Sequence, residues 1–306
     1  MVGRSIDAAD RLSRSELIAR GVSGGVYRTK DPKVVVKVIV NVKLGVEEIG
    51  MLRALSHPNI IRIIDHDTSS EENGQLTVSI WFPRIQYHLG EYLKKPRPVH
   101  VTLSHAAQLL RALRYIHEDK QLMHRDIKPG NVLVEPGPEQ WGEARILLAD
   151  FGNAAWIDPE RCYTAPVSAW SYSAPETILR QHRASPGKAM YDERVDMFAF
   201  GCVFYEMLTR GGKGKLFGDI SSEEEAHARH SIVMEKMDNV ETHLRGFLIN
   251  VELANILIGC IRPDFHERMN ASTALVHIEN AQSAYSREAE RPVMCRDLER
   301  VFRHAH

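Results

Sequence analysis

Cysteine is scarce in this chain, and the four that occur, Cys162, Cys202, Cys260 and Cys295, show no CxxC spacing. So sparse a set fits reduced thiols and leaves no basis for a disulfide framework. Long hydrophobic runs are absent too: no uninterrupted apolar stretch approaches the ~18 residues of a membrane-spanning helix. Residues 1–17 hold no apolar segment of the kind that drives secretion, so no signal peptide is expected. Neither charge is in excess. Lys and Arg number 39 against 40 Asp and Glu, a net charge of -1, which argues against nucleic acid or a membrane surface as a partner. Internal repeats and low-complexity tracts are missing. Together these absences point to the cytoplasm, the nucleus or both as the place of work.

What is present suits a folded domain: 43% hydrophobic and 26% charged residues in 306 positions, enough for two modest domains or one large one. The first third reads as strand-rich. Residues 34–40 are a β-branched run broken by Lys37, and segments 15–20 and 25–30 flank a glycine cluster. Segment 47–55 has helical spacing and stops before His57-Pro58-Asn59. Residues 76–82 form another apolar strand, closed by Pro83. Beyond 83–88, read as a linker, helices dominate. Segment 104–117 offers Ser104 as an N-cap and apolar residues at i, i+3, i+4 and i+7. Segment 195–208 is apolar nearly all round, the pattern of a helix buried within a domain. Segments 251–261 and 271–284 are further helices, and 135–143 is a turn-rich insertion between two short strands.

Three short motifs carry the chemistry. The first is His124-Arg125-Asp126-Ile127-Lys128-Pro129-Gly130-Asn131; the second is Asp150-Phe151-Gly152, directly after the apolar run 146–149; the third is Ala174-Pro175-Glu176. Singly, each has a plain structural reading as a polar loop or a turn. In this order they resemble the protein kinase superfamily, whose catalytic loop reads HRDxKxxN and whose metal-binding and APE motifs follow it. The resemblance runs from about residue 17 to about residue 277. It implies an α+β, two-lobed fold, with a small antiparallel β lobe carrying one helix and a larger, mainly helical lobe. The boundaries expected are an N-terminal extension over 1–14, a nucleotide-binding small lobe over 15–84, a catalytic and substrate-binding large lobe over 85–285, and a helical C-terminal extension over 286–306.

The implied activity is transfer of the γ-phosphate of ATP, with Mg²⁺, to Ser or Thr hydroxyls of protein substrates. Phosphoryl transfer passes through a loose transition state, so catalysis is positioning and electrostatic stabilisation. The resemblance makes Asp126 the base that orients the attacking hydroxyl, places Lys128 near the γ-phosphate, and makes Asn131 and Asp150 hard oxygen ligands for magnesium. A lysine at position 128 is the serine/threonine-kinase form of this loop. The stretch Ile18 to Val26 is similar to a glycine-rich nucleotide loop, GxGxxGxV, with Ala19 in place of its first glycine. Gly21 and Gly24 keep two turning positions, and Val22 and Ser23 lie between them. Read alone, the cluster is a hairpin turn. Lys37 is similar to the lysine of the VAIK strand; a lysine in so apolar a strand needs a partner unless it guards a sheet edge. Glu48 is that partner by register, and Glu47, about 100° round the helix, is the alternative. Ile18 and Val26 would roof the adenine pocket and Leu133 would floor it. Phe82 would be gatekeeper, with Pro83 and Ile85 in the hinge. Val35 stands where the family usually has alanine and tightens the pocket.

Glu176 and Arg268 match a buried ion pair of the family, and Asp196 matches an aspartate that accepts from the catalytic loop. Residues 195–208 with the later GKLFGD resemble the cyclin-dependent and MAP kinase branch, although Ser173 replaces that branch's arginine before APE and no cyclin-binding helix signature is evident. Arg125 is the family's phosphate-gripping arginine. It implies an upstream kinase acting on Thr164, Ser168 or Ser171, with Tyr163 a weaker site. The alternative is a segment ordered by Asp158, by Glu160 or without an anchor. In the tail, Leu298, Val301 and Phe302 have helical spacing, for packing on the large lobe or for docking a partner. Two further readings remain open: a pseudokinase or scaffold, which usually lacks one of Lys37, Glu48, Asp126, Asn131 and Asp150, and a small-molecule kinase, which lacks the APE motif paired with a late arginine.

Overall fold

A computed structural model of the chain describes residues 16–21, 24–70, 74–137, 144–158, 160–161, 163–164, 170–179, 188–189, 191–209, 215–222, 224–229, 241–242, 244 and 251–287. A five-stranded antiparallel sheet opens it. β1 (Leu17–Arg20), β2 (Gly24–Arg28), β3 (Val34–Ile39), β4 (Asp65–Ser70) and β5 (Leu76–Pro83) lie in the order β1-β2-β3-β5-β4. Period-2 alternation sorts β3 between two hydrophobic clusters. Val36 and Val38 pack with Trp81 on one face, while Val35 and Ile39 join the main core on the other. Lys37 shares that second face. β3 is the central strand, which removes the edge-strand reading of Lys37. β4 had no apolar alternation to betray it: Asp-His-Asp-Thr-Ser-Ser forms an edge strand through backbone pairing to β5 alone.

Helix α1 (Val42–Ala54) follows β3 after two residues and starts earlier than its apolar spacing predicts. Asn41 caps it, its side chain accepting from the Leu44 N–H. At Gly45 the helix presses on the sheet, where an added Cβ would lie 2.6 Å from the Val78 Cβ. A short junction then ties the lobes. Asn59 donates from Nδ2 to the Gln108 side chain and the Ile146 carbonyl, both at 2.9 Å, and its own carbonyl accepts from the Leu148 N–H at 2.8 Å.

The larger lobe begins with β6 (Tyr87–His88) and the short α2 (Leu89–Tyr92), then α3 (Val99–Arg114). Ser104 therefore lies inside α3 and is not its N-cap, a correction to the sequence reading. Burial of Val101 and Leu103 carries the helix back to Pro98, overriding weak β-branched propensity. β7 (Leu122–Met123), β8 (Val132–Glu135), β9 (Arg145–Leu148), β10 (Ala155–Trp156) and β11 (Tyr163–Thr164) come next, with α4 (Pro175–Leu179) and β12 (Lys188–Ala189). α5 (Arg194–Leu208) is buried from Val195 to Leu208, as its all-round apolar pattern predicts. α6 (Val251–Cys260) and α7 (Ala271–Arg287) pack around α5 and α3. No described helix is long and apolar enough to cross a membrane.

Candidate active site

The catalytic-loop motif is held from beneath by a single buried carboxylate. Asp196, on α5, accepts from the backbone N–H groups of His124 and Arg125, both at 2.7 Å, and pairs with the His117 ring at 2.9 Å. Burial alone would raise its pKa, but the His117 hydrogen bond, the His117 and His124 rings and the His124 N–H hold it below the ordinary value. Arg125 sits at φ 67, a left-handed conformation these two bonds help to fix.

Asp126 is buried at 6% exposure. The Lys128 ammonium donates to its carboxylate at 2.7 and 3.0 Å. The Asn131 amide nitrogen donates to both its carbonyl, at 2.8 Å, and its Oδ2, at 2.9 Å. The three side chains thus form one unit. The Asn131 carbonyl accepts from Ala149 N–H at 2.9 Å, so Asp150 begins one residue from the loop. The His124 ring reaches the Ala149 carbonyl at 3.0 Å and lies edge-on to Phe151.

Opposite, Lys37 donates to both Glu48 oxygens at 2.8 Å and to Asp150 Oδ1 at 2.7 Å. Glu48, rather than Glu47, is the buried partner. Burial would lower the Lys37 pKa, but Asp150 and Glu48 outweigh it and raise it. Burial raises that of Glu48 beyond what Lys37 can offset. Burial also pushes Asp150 up, yet Lys37 and then His124 and Lys128 hold its pKa down. The Asp150 side chain is 37% exposed and takes φ 64. It is a carboxylate held in its ionised form and partly open to solvent.

The remaining predicted residues distribute unevenly. Val35 and Phe82 are cross-strand neighbours on β3 and β5, and Val26 stands opposite Lys37 on β2. Leu133, on β8 between His88 and Leu147, is packed against the main core, as is Val35. Pro83 and Ile85 are half-buried at the end of β5 and just past it, while Ile18 and Ala19 are exposed on β1. Across the glycine turn, Gly21 N–H donates to the Gly24 carbonyl at 2.8 Å. An added Cβ at Gly24 would lie 2.0 Å from the Val38 carbonyl oxygen, so close strand packing already demands that glycine. Val22 and Ser23 lie outside the described residues.

Two candidate phosphorylation sites are otherwise engaged. Ser171 is buried with its Oγ accepting from Ile220 N–H at 3.1 Å. Tyr163, at 2% exposure, donates to the Trp156 carbonyl at 2.8 Å and accepts from Asp158 N–H at 2.6 Å. Neither hydroxyl is presented to another enzyme in this conformation. Ser168, the Thr164 side chain and the tail residues Leu298, Val301 and Phe302 lie outside the described residues. Deeper in the lobe, Arg268 makes a forked pair with Glu176 at 2.7 and 3.1 Å.

A model of the protein kinase domain matches residues 12–278. The chain belongs to the protein kinase family. Among its relatives, "Cyclin-dependent kinase 4" of Ovis aries is 32% identical over 222 residues, covering 65% of this chain and 68% of the relative. The Mus musculus protein of that name is 31% identical over 224 residues, covering 66% and 69%. "Cyclin-dependent kinase D-1" of Arabidopsis thaliana is 32% identical over 218 residues, covering 66% of this chain and 50% of the relative. The expected superfamily and its similarity to the cyclin-dependent branch are both shown, as is the two-lobed α+β fold.

A protein kinase implies ATP as phosphoryl donor and, typically, magnesium. The donors fit. Lys37 takes Asp150 Oδ1 and leaves Oδ2, while Asn131 spends its amide nitrogen on Asp126 and leaves its amide oxygen. Both are hard oxygens of the type Mg²⁺ selects. The role of Asn59 is not legible in the sequence, where His57-Pro58-Asn59 reads only as a helix stop, because its partners Gln108 and Ile146 are remote in the chain.

Proposed function

We propose that this protein kinase is an active enzyme that phosphorylates Ser and Thr residues of proteins, with residues 15–84 as its nucleotide-binding lobe and 85–285 as its catalytic and substrate-binding lobe. The observation that carries the reading is the double pairing of Lys37, which touches Glu48 and Asp150 at once. That pairing aims a fixed cation at the position of the nucleotide phosphates and locks helix α1 against the cleft. Asp126 takes the proton of the substrate hydroxyl as its oxygen attacks the γ-phosphorus and ADP leaves. Lys128, already on the Asp126 carboxylate, adds positive charge where the transferring group develops negative charge. Asn131 and Asp150 would hold magnesium, which neutralises the polyphosphate and draws charge from the leaving oxygen. Ile18, Val26, Val35, Phe82, Pro83, Ile85 and Leu133 would enclose the adenine, and Ala19 would lie in the glycine-rich nucleotide loop. The Ser/Thr preference rests on Lys128 and on the resemblance of the loop that carries it.

Radiolabelled ATP with a generic basic protein, followed by phosphoamino-acid analysis, tests this. Wild type should label Ser and Thr, and Asp126→Asn should lose roughly 100-fold or more of that rate. Equal background labelling by both proteins, together with normal nucleotide binding, would instead identify a pseudokinase.

A further inference from the structure

Arg125 is the residue next to Asp126, and its guanidinium does not point into solvent. Its carbon lies 5.7 Å from the Tyr163 ring centre and 5.8 Å from that of Tyr191. The two rings stand 5.3 Å apart, tilted by 38°. Arg125 also hydrogen-bonds the Tyr191 hydroxyl, partly countering the burial that raises that phenol's pKa to about 12. Both tyrosines are buried, at 2% and 7% exposure. Tyr163 in turn ties down the chain after the Asp-Phe-Gly motif through its bonds to the Trp156 carbonyl and the Asp158 N–H. Tyr163 also opens β11, which pairs with β12 at Ala189, just ahead of Tyr191. A second guanidinium, Arg161, lies 5.5 Å from the same Tyr163 ring.

These contacts connect three segments distant in sequence: the catalytic loop, the stretch 156–164 and the approach to α5. A planar guanidinium suits such a site, because it stacks on aromatic faces while still donating hydrogen bonds. Arg125 is thereby fixed at both ends, its N–H on Asp196 and its side chain against two neighbouring rings.

We propose that Tyr163 and Tyr191 form an aromatic clasp on Arg125 that holds residues 156–158 and 163–164 in place without phosphate, making both tyrosines positioning residues for Asp126. The inference rests on the chain being a working kinase, but its first test does not use catalysis. Hydrogen exchange should show residues 156–164 protected in chain freed of phosphate, as verified by intact mass. Tyr163→Ala should lose that protection, and Tyr163→Phe, which keeps the ring but not the two hydroxyl bonds, should retain part of it.

The second test uses rates. Phosphatase-treated wild type and Thr164→Ala should keep kcat within about twofold of untreated protein. Tyr163→Ala should lose roughly tenfold or more, since small displacements of catalytic groups are expensive. That loss should appear in kcat and in KM for the protein substrate with KM for ATP little changed, and Tyr163→Phe should recover part of it. A merely structural defect would lower melting temperature without this split or this rescue. Fast exchange of 156–164 in phosphate-free wild type would overturn the clasp, as would a tenfold fall in kcat on phosphatase treatment. If untreated wild type is inactive while 156–164 remains protected and Tyr163-dependent, the kinase reading fails and the clasp stands.

Discussion

At the scale of single residues, Lys37 does the most with one charge. It lies in the middle strand of a sheet, at 7% exposure, with two carboxylates within 2.8 Å. Removing one member of a buried ion pair costs about 3–5 kcal/mol, because the other charge is left without compensation. Two carboxylates would then face one another in Lys37→Met. That variant should lose roughly 100-fold or more in kcat, read from initial rates of phosphoryl transfer, and should melt earlier. Melting unchanged with activity intact would show that the pair positions nothing. Lys37, Asp126 and Asp150 were legible in the sequence because each stands in a motif whose order leaves few other meanings. Tyr163 was not legible in its role. Its partners, Arg125 and Tyr191, are remote in sequence, and nothing in a lone tyrosine records which ring or carbonyl it will meet.

Among the elements, α1 decides whether Glu48 reaches Lys37. Its buried face runs through Gly45, Glu48, Ile49 and Leu52, so the residue that packs on the sheet lies one turn before the residue that pairs. Gly45 is needed for closeness, since a Cβ there would meet Val78 at 2.6–2.9 Å. Gly45→Ala gains helix propensity of about 1 kcal/mol but must push α1 off β5, an overpacking cost of about 1–3 kcal/mol. The expected result is a lower kcat with modest change in melting temperature. Adding Val78→Gly should restore much of the rate, because it removes the Cβ as well as the methyls in the way. Rate loss that survives in the double variant would place the fault elsewhere. Apolar spacing alone does not locate the start of this helix. Asn41, a strong N-cap residue, marked the true start, and the exposed Val46 and Leu44 blurred the apolar face. β4 escaped for a related reason: an edge strand held by backbone bonds needs no hydrophobic alternation.

Across the whole molecule, stability should depend on pH through a residue that takes no part in the proposed chemistry. His105, on α3, is 3% exposed and meets Tyr92 edge-on at 5.4 Å. Arg97 covers that tyrosine ring at 3.7 Å and donates to the Tyr92 carbonyl at 3.0 Å. Burial first, and then the Arg97 charge, depress the His105 pKa from 6.5 to about 4. An unfolded chain therefore binds a proton between those values that the native state refuses. Native stability from this residue is complete above pH 6.5 and drains away as pH falls towards 4, by about 3 kcal/mol in all. His57, depressed by burial and by Arg114 and Arg111, acts in the same direction. Glu48 and Glu206, whose pKa values are raised chiefly by burial, gain stability as pH falls and oppose it. A single acid-denaturation curve would mix these contributions, so the diagnostic is a difference. Urea unfolding of wild type and His105→Leu at pH 7.5, 6 and 4.5 should give a stability gap that shifts in favour of the variant as the medium is acidified. A gap independent of pH would mean that folding leaves the proton affinity of His105 unchanged.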